Sequence, residues 1–590
     1  MLGLAAQGML GNLPATVDVN DVTILKQNVL VISSHDSIVV NASANRIDTL
    51  SIFDEAKIIT PEEAEREFAT QPARAPRSAE PGTQWGHDED KFVSMGIHNH
   101  VYLYTFKYPS VDADGNKIYL SALMGVPAGL AAGVFKDHVK PNNLVIGCHE
   151  TITSNYECPS EFNNTGGASI MTGNGMMLCY TSYNISRQPS SLVIMPDYEG
   201  YGITKHRAHP YLYQELTARQ VVDGARSGIA LFQQLVSQGK VNGFENGWKS
   251  LAIGYSQGGS VALATHKFIE LNGLAEELHF SGSVCGDGPY DPIAHLRYYM
   301  TDDGNSYDGT KKTVHRKEKV SMPIVLPLIL KGMCDSNPLM RQHYLDEYLS
   351  QSFLHTESVK FIEAKSQNNK KSQYSTDDIT DAYKKMLKKG YTGSYTKTDH
   401  ETGKTTTTTM TQSADQLKNV IEIYDPGFFS SNQVHGKLQG MMTEQCYNYF
   451  KNLTEGAPAP TEPGAMNDLY NALESNNLTV GWTPQHRIAF FHSTYDTVVP
   501  YVNLLSFIRN QQGLTYYFYD KSKSRTTAAG VTCTSTADMK TANVYVRDAS
   551  CTDDHVSAGK NFFMLGSWGK VVGLPPDIQM MRWVFTGSDD

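Results

Sequence analysis

No run in the 590 residues comes near the ~18 consecutive apolar side chains that a membrane-spanning helix needs. Met1 to Leu13 has no basic residue and is broken by glycines, so it does not read as a signal peptide. There is no basic stripe with interleaved aromatics; 50 Lys and Arg stand against 61 Asp and Glu, a net charge of −11 spread along the chain, which argues against a nucleic-acid partner. Metal-ligand spacings such as His-Glu-x-x-His are missing, and Gly200-Tyr201-Gly202 stands alone where a phosphate-binding loop would need more glycines. No metal or organic cofactor is therefore expected. Cys-x-x-Cys pairs are missing too.

What is present begins with the stretch Leu251-Ala-Ile-Gly-Tyr-Ser-Gln-Gly-Gly-Ser260. A short apolar run ends at Gly254, Ser256 follows two residues on, and Val261, Leu263, Ala264, Phe268 and Ile269 continue with an amphipathic pattern. The pattern predicts strand, sharp turn, helix: the Gly-x-Ser-x-Gly elbow, in which strand and helix pass so closely that the flanking residues must be small. Such a turn puts Ser256 above the sheet edge at a helix N-terminus, where the Gln257 N–H favours developing negative charge. An ordinary Ser-Gly turn is the alternative.

Around this stretch the chain divides into segments. Residues 1–69 carry short apolar bursts and read as a β-rich segment, either a small module or extensions of a larger sheet. Residues 70–86, rich in Pro, Ala and Arg, read as a linker. Residues 87–292 open with a hairpin (Val101–Phe106, turn Asp112–Asn116, Ile118–Pro127) and continue with buried runs at Asn143–Cys148, Ser191–Met195 and His279–Cys285, with helical spacing between Tyr211 and Gly239. Strands alternating with helices after an antiparallel pair predict an α/β fold, a mostly parallel sheet with helices on both faces. The alternation stops over residues 293–481, which read as a mainly helical, lid-like insertion with helices at Met322–Met333, Leu339–Phe353, Thr376–Lys388 and Met441–Leu453, and it resumes over 482–590. The threonine-rich interval Ser394–Met410 reads as a solvated loop or a hairpin tip. The apolar run Met322–Leu330 is either core or the wall of an acyl-binding groove.

A serine hydroxyl needs a base to take its proton, and the base needs a carboxylate to fix its tautomer. The chain order that goes with such an elbow is nucleophile, acid, histidine. Asp496, in the loop after the strand Arg487–His492, supplies the acid, with Asp287 as its rival. His555 is the only histidine after Asp496, in a loop beyond the last strand. A second oxyanion donor should follow the strand Asn143–Cys148, where Glu150 and Thr151 are the candidates beside Gln257. No substrate-binding residue is singled out.

Of the eight cysteines, Cys148 and Cys285 lie in apolar strand runs and read as buried thiols. Cys158 with Cys179, and Cys533 with Cys551, bracket segments that bridges would close. Such bridges suit an exported protein, secreted or periplasmic; reduced thiols of a cytosolic enzyme are the alternative.

With these residues in hand, the chain from about Phe92 onward resembles the α/β-hydrolase superfamily, and within it the secretory lipase group of triacylglycerol lipases and esterases. The resemblance rests on Asp197-Tyr198-Glu199-Gly200, Gly254-Tyr255-Ser256-Gln257-Gly258-Gly259, Gly286-Asp287-Gly288-Pro289-Tyr290-Asp291 and His492 to Pro500. It implies a Ser256–His555–Asp496 triad, a lid at the position of 293–481, and hydrolysis of a small-molecule or lipid-like carboxylic ester through an acyl-enzyme, without a cofactor. A serine peptidase of prolyl-peptidase type uses the same triad and is the alternative, favoured if the N-terminal strands cap the site and an acidic pair holds a substrate amino group. A non-catalytic binding protein on the same scaffold is a third class. Oligomeric state is not legible.

Overall fold

The computed structural model describes residues 17–590 apart from 42–45, 71–89, 131–139, 163–190, 302–316, 365–375, 425–432, 459–461, 520–536, 550–553, 564–575 and 589–590. The strands, in chain order, are β1 (Thr23–Asn41), β2 (Arg46–Ile59), β3 (Asp90–Val111), β4 (Lys117–Leu130), β5 (Asn143–Cys148), β6 (Ser191–Pro196), β7 (Lys249–Tyr255) and β8 (Phe280–Gly286). After them come β9 (Lys319–Ser321), β10 (Tyr391–Thr398), β11 (Thr405–Gln412), β12 (Ile421–Tyr424), β13 (Gln433–Lys437), β14 (Arg487–His492), β15 (Tyr516–Phe518) and β16 (Val544–Asp548). Eleven of these form one sheet, in the order β15-β16-β14-β8-β7-β5-β6-β4-β3-β1-β2.

From β15 to β6 neighbouring strands run parallel. From β4 outward each strand opposes its neighbour. The parallel part is buried on both faces, as its continuous apolar runs require: all six residues of β6 are buried. Alternate residues of β7 serve different cores. Ala252 joins the side covered by the helices Gln214–Ser237 and Gln257–Leu271, whereas Leu251, Ile253 and Tyr255 pack with Phe562, Met580 and Trp583 from the helices His555–Phe562 and Pro576–Thr586.

The N-terminal strands extend this sheet. β1 pairs with β3 from Thr23 opposite Lys107 to Asn41 opposite Asp90, so β1 and β2 continue the edge of the sheet and do not arch over it. A helix, Pro61–Thr70, follows β2 within what the sequence reads as β-rich; the linker reading for 70–86 falls, beyond Thr70, outside the described residues.

The segment between β8 and β14 is less uniformly helical than expected. It adds the hairpin β10–β11 and the small sheet β12-β13-β9. The threonines form a strand, with the turn at Asp399–Lys404, because β-branched side chains pair well across strands: Thr392 with Thr411 at 3.0 Å, Ser394 with Thr409 at 2.9 Å and Thr396 with Thr407 at 3.0 Å. The expected helix Leu339–Phe353 is instead two single turns, Leu345–Tyr348 and Gln351–Leu354. Ser350 breaks the run by capping the second, its hydroxyl accepting from the Phe353 N–H at 3.2 Å.

The expected Cys158–Cys179 bridge is not formed. Cys158 is a free, fully buried thiol packed with Ile152 and Tyr201, 3.6 Å from the Ser160 hydroxyl. Two short 3-10 turns, Asn155–Glu157 and Pro159–Glu161, fold the chain around it. Cys148 and Cys285 are buried free thiols. Cys179, Cys533 and Cys551 lie outside the described residues. Among the described residues no helix is long and apolar enough to cross a membrane.

Candidate active site

Ser256 stands between β7 and the helix Gln257–Leu271 with φ 59° and ψ −125°, a left-handed conformation that costs a non-glycine residue energy and persists only where its surroundings enforce it. Those surroundings are backbone. A Cβ on Gly254 would lie 2.2 Å from the Gly258 carbonyl oxygen, one on Gly258 2.1 Å from that of Cys148, and one on Gly259 2.2 Å from that of Gly286. The Ser256 N–H donates to the Gly286 carbonyl at 2.9 Å, locking the turn to the end of β8.

His555 opens the helix His555–Phe562, whose N-cap Asp554 accepts from the Ser557 N–H at 2.8 Å. Its Nε2 lies 2.8 Å from Ser256 Oγ, and its Nδ1 is hydrogen-bonded to Asp496 Oδ2. Asp496 is 1% exposed, and its other oxygen accepts from the backbone N–H groups of Val498 and Val499, both at 2.8 Å. The carboxylate is thus fixed by the loop that carries it, and it in turn fixes the imidazole with Nδ1–H toward Asp496 and the Nε2 lone pair toward Ser256.

The rival acid, Asp287, sits behind this row and does not bond to His555. It pairs with the wholly buried His492, at 2.7 Å from its Nδ1, accepts from the Ser493 N–H at 2.7 Å and is hydrogen-bonded by the Tyr255 hydroxyl. Tyr255 OH also lies 2.6 Å from the His555 carbonyl oxygen. His492 and Tyr255 complete this support, and no short sequence pattern marks them for it.

For His555, burial pulls the pKa down, but the Asp496 carboxylate, and Asp287 behind it, outweigh burial and raise it above the usual 6.5. Only the neutral imidazole can accept the serine proton, so kcat/KM is expected to rise with pH to a plateau with a midpoint above 6.5. A pH–rate profile with an uncharged ester measures this. Asp287→Asn removes one of the charges that raise the pKa and should move the midpoint toward acid; a midpoint at or below the ordinary histidine value in the wild type contradicts the assignment.

Gln257, first residue of its helix, has a backbone N–H without an intrahelical acceptor. Its side-chain Nε2 is 2.7 Å from His209 Nε2, and His209 Nδ1 donates to the Glu199 carbonyl at 2.8 Å. His209 thereby anchors Gln257, a role that no sequence pattern marks. Glu150 and Thr151 lie on the loop after β5, facing the same cavity as Ser256 and His555. His149 beneath them is no metal ligand in waiting. Burial lowers its pKa to about 4, so it is neutral; it stacks on Tyr198 at 3.9 Å, and its ring nitrogens lie 2.7 Å and 3.1 Å from the carbonyls of Glu150 and Asp197. The Asp197–Gly200 turn therefore floors the loop that carries Glu150 and Thr151.

The serine opens into a cavity of about 510 Å³, within the usual range for ligand sites. Its far walls come from the insertion: Leu326, Ile329, Phe450, Leu469 and Leu473 among others. In the run Met322–Leu330, Ile324 and Leu328 are buried in the core, whereas Leu326 and Ile329 line the cavity.

No family model and no curated protein matches the chain. Solved structures do. The rice cell wall degrading esterase LipA from Xanthomonas oryzae is 19% identical over 70% of this chain and 81% of that one, with a TM-score of 0.45. Candida antarctica lipase A is 12% identical over 83% and 78%, with a TM-score of 0.44. The fold is that of the α/β-hydrolases. The strand order, the strands opposed to the parallel set at one edge, and the turn from β7 into its helix carry that assignment.

Proposed function

We propose that the protein hydrolyses carboxylic esters with an apolar acyl group, through an acyl-enzyme on Ser256. His555 takes the hydroxyl proton as Ser256 attacks the carbonyl carbon, Asp496 stabilises the imidazolium, and the Gln257 N–H with a donor from Glu150 or Thr151 holds the oxyanion. The imidazolium then protonates the leaving alcohol, and water, deprotonated by His555, releases the acid. No cofactor enters any step. The observation that carries this reading is the Ser256–His555–Asp496 row opening into a cavity walled by aliphatic side chains.

What favours an ester over a peptide is the same cavity. Leu326, Ile329, Phe450, Leu469 and Leu473 offer apolar side chains to an acyl chain, and Glu157 Oε2 is engaged by its own loop, accepting from the Thr153 and Ser154 N–H groups at 3.1 and 3.2 Å. The β1–β2 extension at the sheet edge also offers no cap over the serine.

Each methylene moved from water into the cavity contributes ~0.8 kcal/mol, about fourfold in kcat/KM. A p-nitrophenyl ester series from acetate to palmitate should therefore climb with chain length until the cavity is full. Ile329→Trp should cut the long-chain rates ~10-fold or more while changing acetate less than ~threefold. A flat profile, or cleavage of peptide amides but not esters, sinks the reading.

A further inference from the structure

At the end of the sheet opposite the serine, three metal-ligating side chains converge. His266 and Glu270 stand one turn apart on the same face of the helix Gln257–Leu271, and His486 immediately precedes β14. Glu270 Oε1 lies 2.9 Å from His266 Nε2 and 2.7 Å from His486 Nδ1, and the three ligand atoms all fall within 4.8 Å of one another. The His266 ring is enclosed edge-on by Phe280 and Trp482 at 4.9 and 5.3 Å. Its other nitrogen, Nδ1, is 2.8 Å from the Ser283 hydroxyl, the kind of outer contact that orients a ligating imidazole. Side-chain exposure is 0% for His266, 7% for Glu270 and 32% for His486, so the cluster is buried on two sides and open to water on the third.

We propose that His266, Glu270 and His486 bind one divalent transition-metal ion, with zinc as its representative and water as the fourth ligand.

Two imidazoles and one carboxylate form a donor set that zinc takes with a fourth position open. Nitrogen donors in that proportion disfavour calcium and magnesium, which seek shells of oxygen. Glu270 is held in place by the Gln485 and His486 backbone N–H groups, which donate to its Oε1 at 3.0 and 2.8 Å. Zinc–ligand bonds of about 2.0–2.2 Å in a tetrahedron set the ligand atoms about 3.3 Å apart, so the cluster must open by about half an ångström from its hydrogen-bonded form. His486, 32% exposed just before its strand, is the ligand with most room to do so. Such an ion would tie the helix that follows Ser256 to the strand that leads to Asp496, where the chain returns from the 293–481 insertion; His266 and Glu270 lie 10 and 14 residues along the chain from Ser256, so it would act on stability and not on the reacting groups.

The test is zinc titration of the tag-free, full-length chain after chelator treatment, by calorimetry and by metal analysis after dialysis, with thermal unfolding in parallel. The expected result is one zinc per chain at micromolar affinity or tighter, a Tm raised by about 3 °C or more at saturation, and no such shift with calcium. His486→Ala and Glu270→Gln should each weaken zinc ~100-fold or more, and Ser283→Ala ~10-fold, while the zinc-free His486→Ala variant keeps wild-type ester hydrolysis. Asp287, Asp496 and His555 also lie within 4.8 Å of one another; zinc bound there would survive His486→Ala. Zinc binding equal in wild type and His486→Ala, or the lack of any site tighter than ~100 µM in the wild type, overturns the proposal.

Discussion

Ser256→Ala is expected to lower kcat for ester hydrolysis by ~10⁶ while leaving the fold intact, the scale seen when the nucleophile of a serine hydrolase is removed. Without Oγ there is no acyl-enzyme, and only oxyanion stabilisation and binding in the cavity remain. Alanine keeps the Cβ, so the strain of the φ 59° turn is unchanged, and the substitution removes one hydrogen bond, that to His555 at 2.8 Å. Tm should therefore move by no more than a few degrees. Turnover and thermal unfolding of the same preparation decide the matter: a folded alanine variant that retains more than ~1% of the wild-type rate would place the nucleophile elsewhere.

Asp496→Asn should cost ~10⁴ in kcat, because an amide can donate to His555 Nδ1 and hold the imidazole in the wrong tautomer. Asp287→Asn should cost less than ~10². Asp287 touches His492, the Ser493 N–H and the Tyr255 hydroxyl, so its loss acts by loosening the start of the Asp496 loop and by shifting the pH midpoint. The two variants, measured at the pH plateau with one ester, separate an acid that orients the base from one that braces the loop. The opposite ranking would make Asp287 the partner of His555 and require the loop 493–500 to be rearranged.

The elbow was legible because its constraint is local: three glycines within six residues answer to three backbone carbonyls that leave no room for a Cβ. Asp496 and His555 were picked out by chain order, and order works because parallel strands deliver their following loops to one edge of the sheet. The bracing was not legible. Asp287 with His492, and His209 with Gln257, pair residues 205 and 48 apart that are brought together only by the packing of separate loops. No short pattern marks them. The second oxyanion donor stayed open between Glu150 and Thr151 for a related reason, since a backbone donor leaves no trace in residue identity. In the insertion, apolar spacing near Leu339–Phe353 resembled a helix while Ser350 and the packing of two short turns decided otherwise. The threonine strand carried too little apolar contrast to give a period.

The most direct test of the account is to mix the wild-type protein with a slowly deacylating p-nitrophenyl ester, quench it during the burst and map the acyl group by peptide mass spectrometry. The account predicts one acyl group per chain, on Ser256, formed at the rate of the burst and missing from Ser256→Ala. An acyl group on any other residue, or steady ester turnover with no covalent adduct, would contradict it.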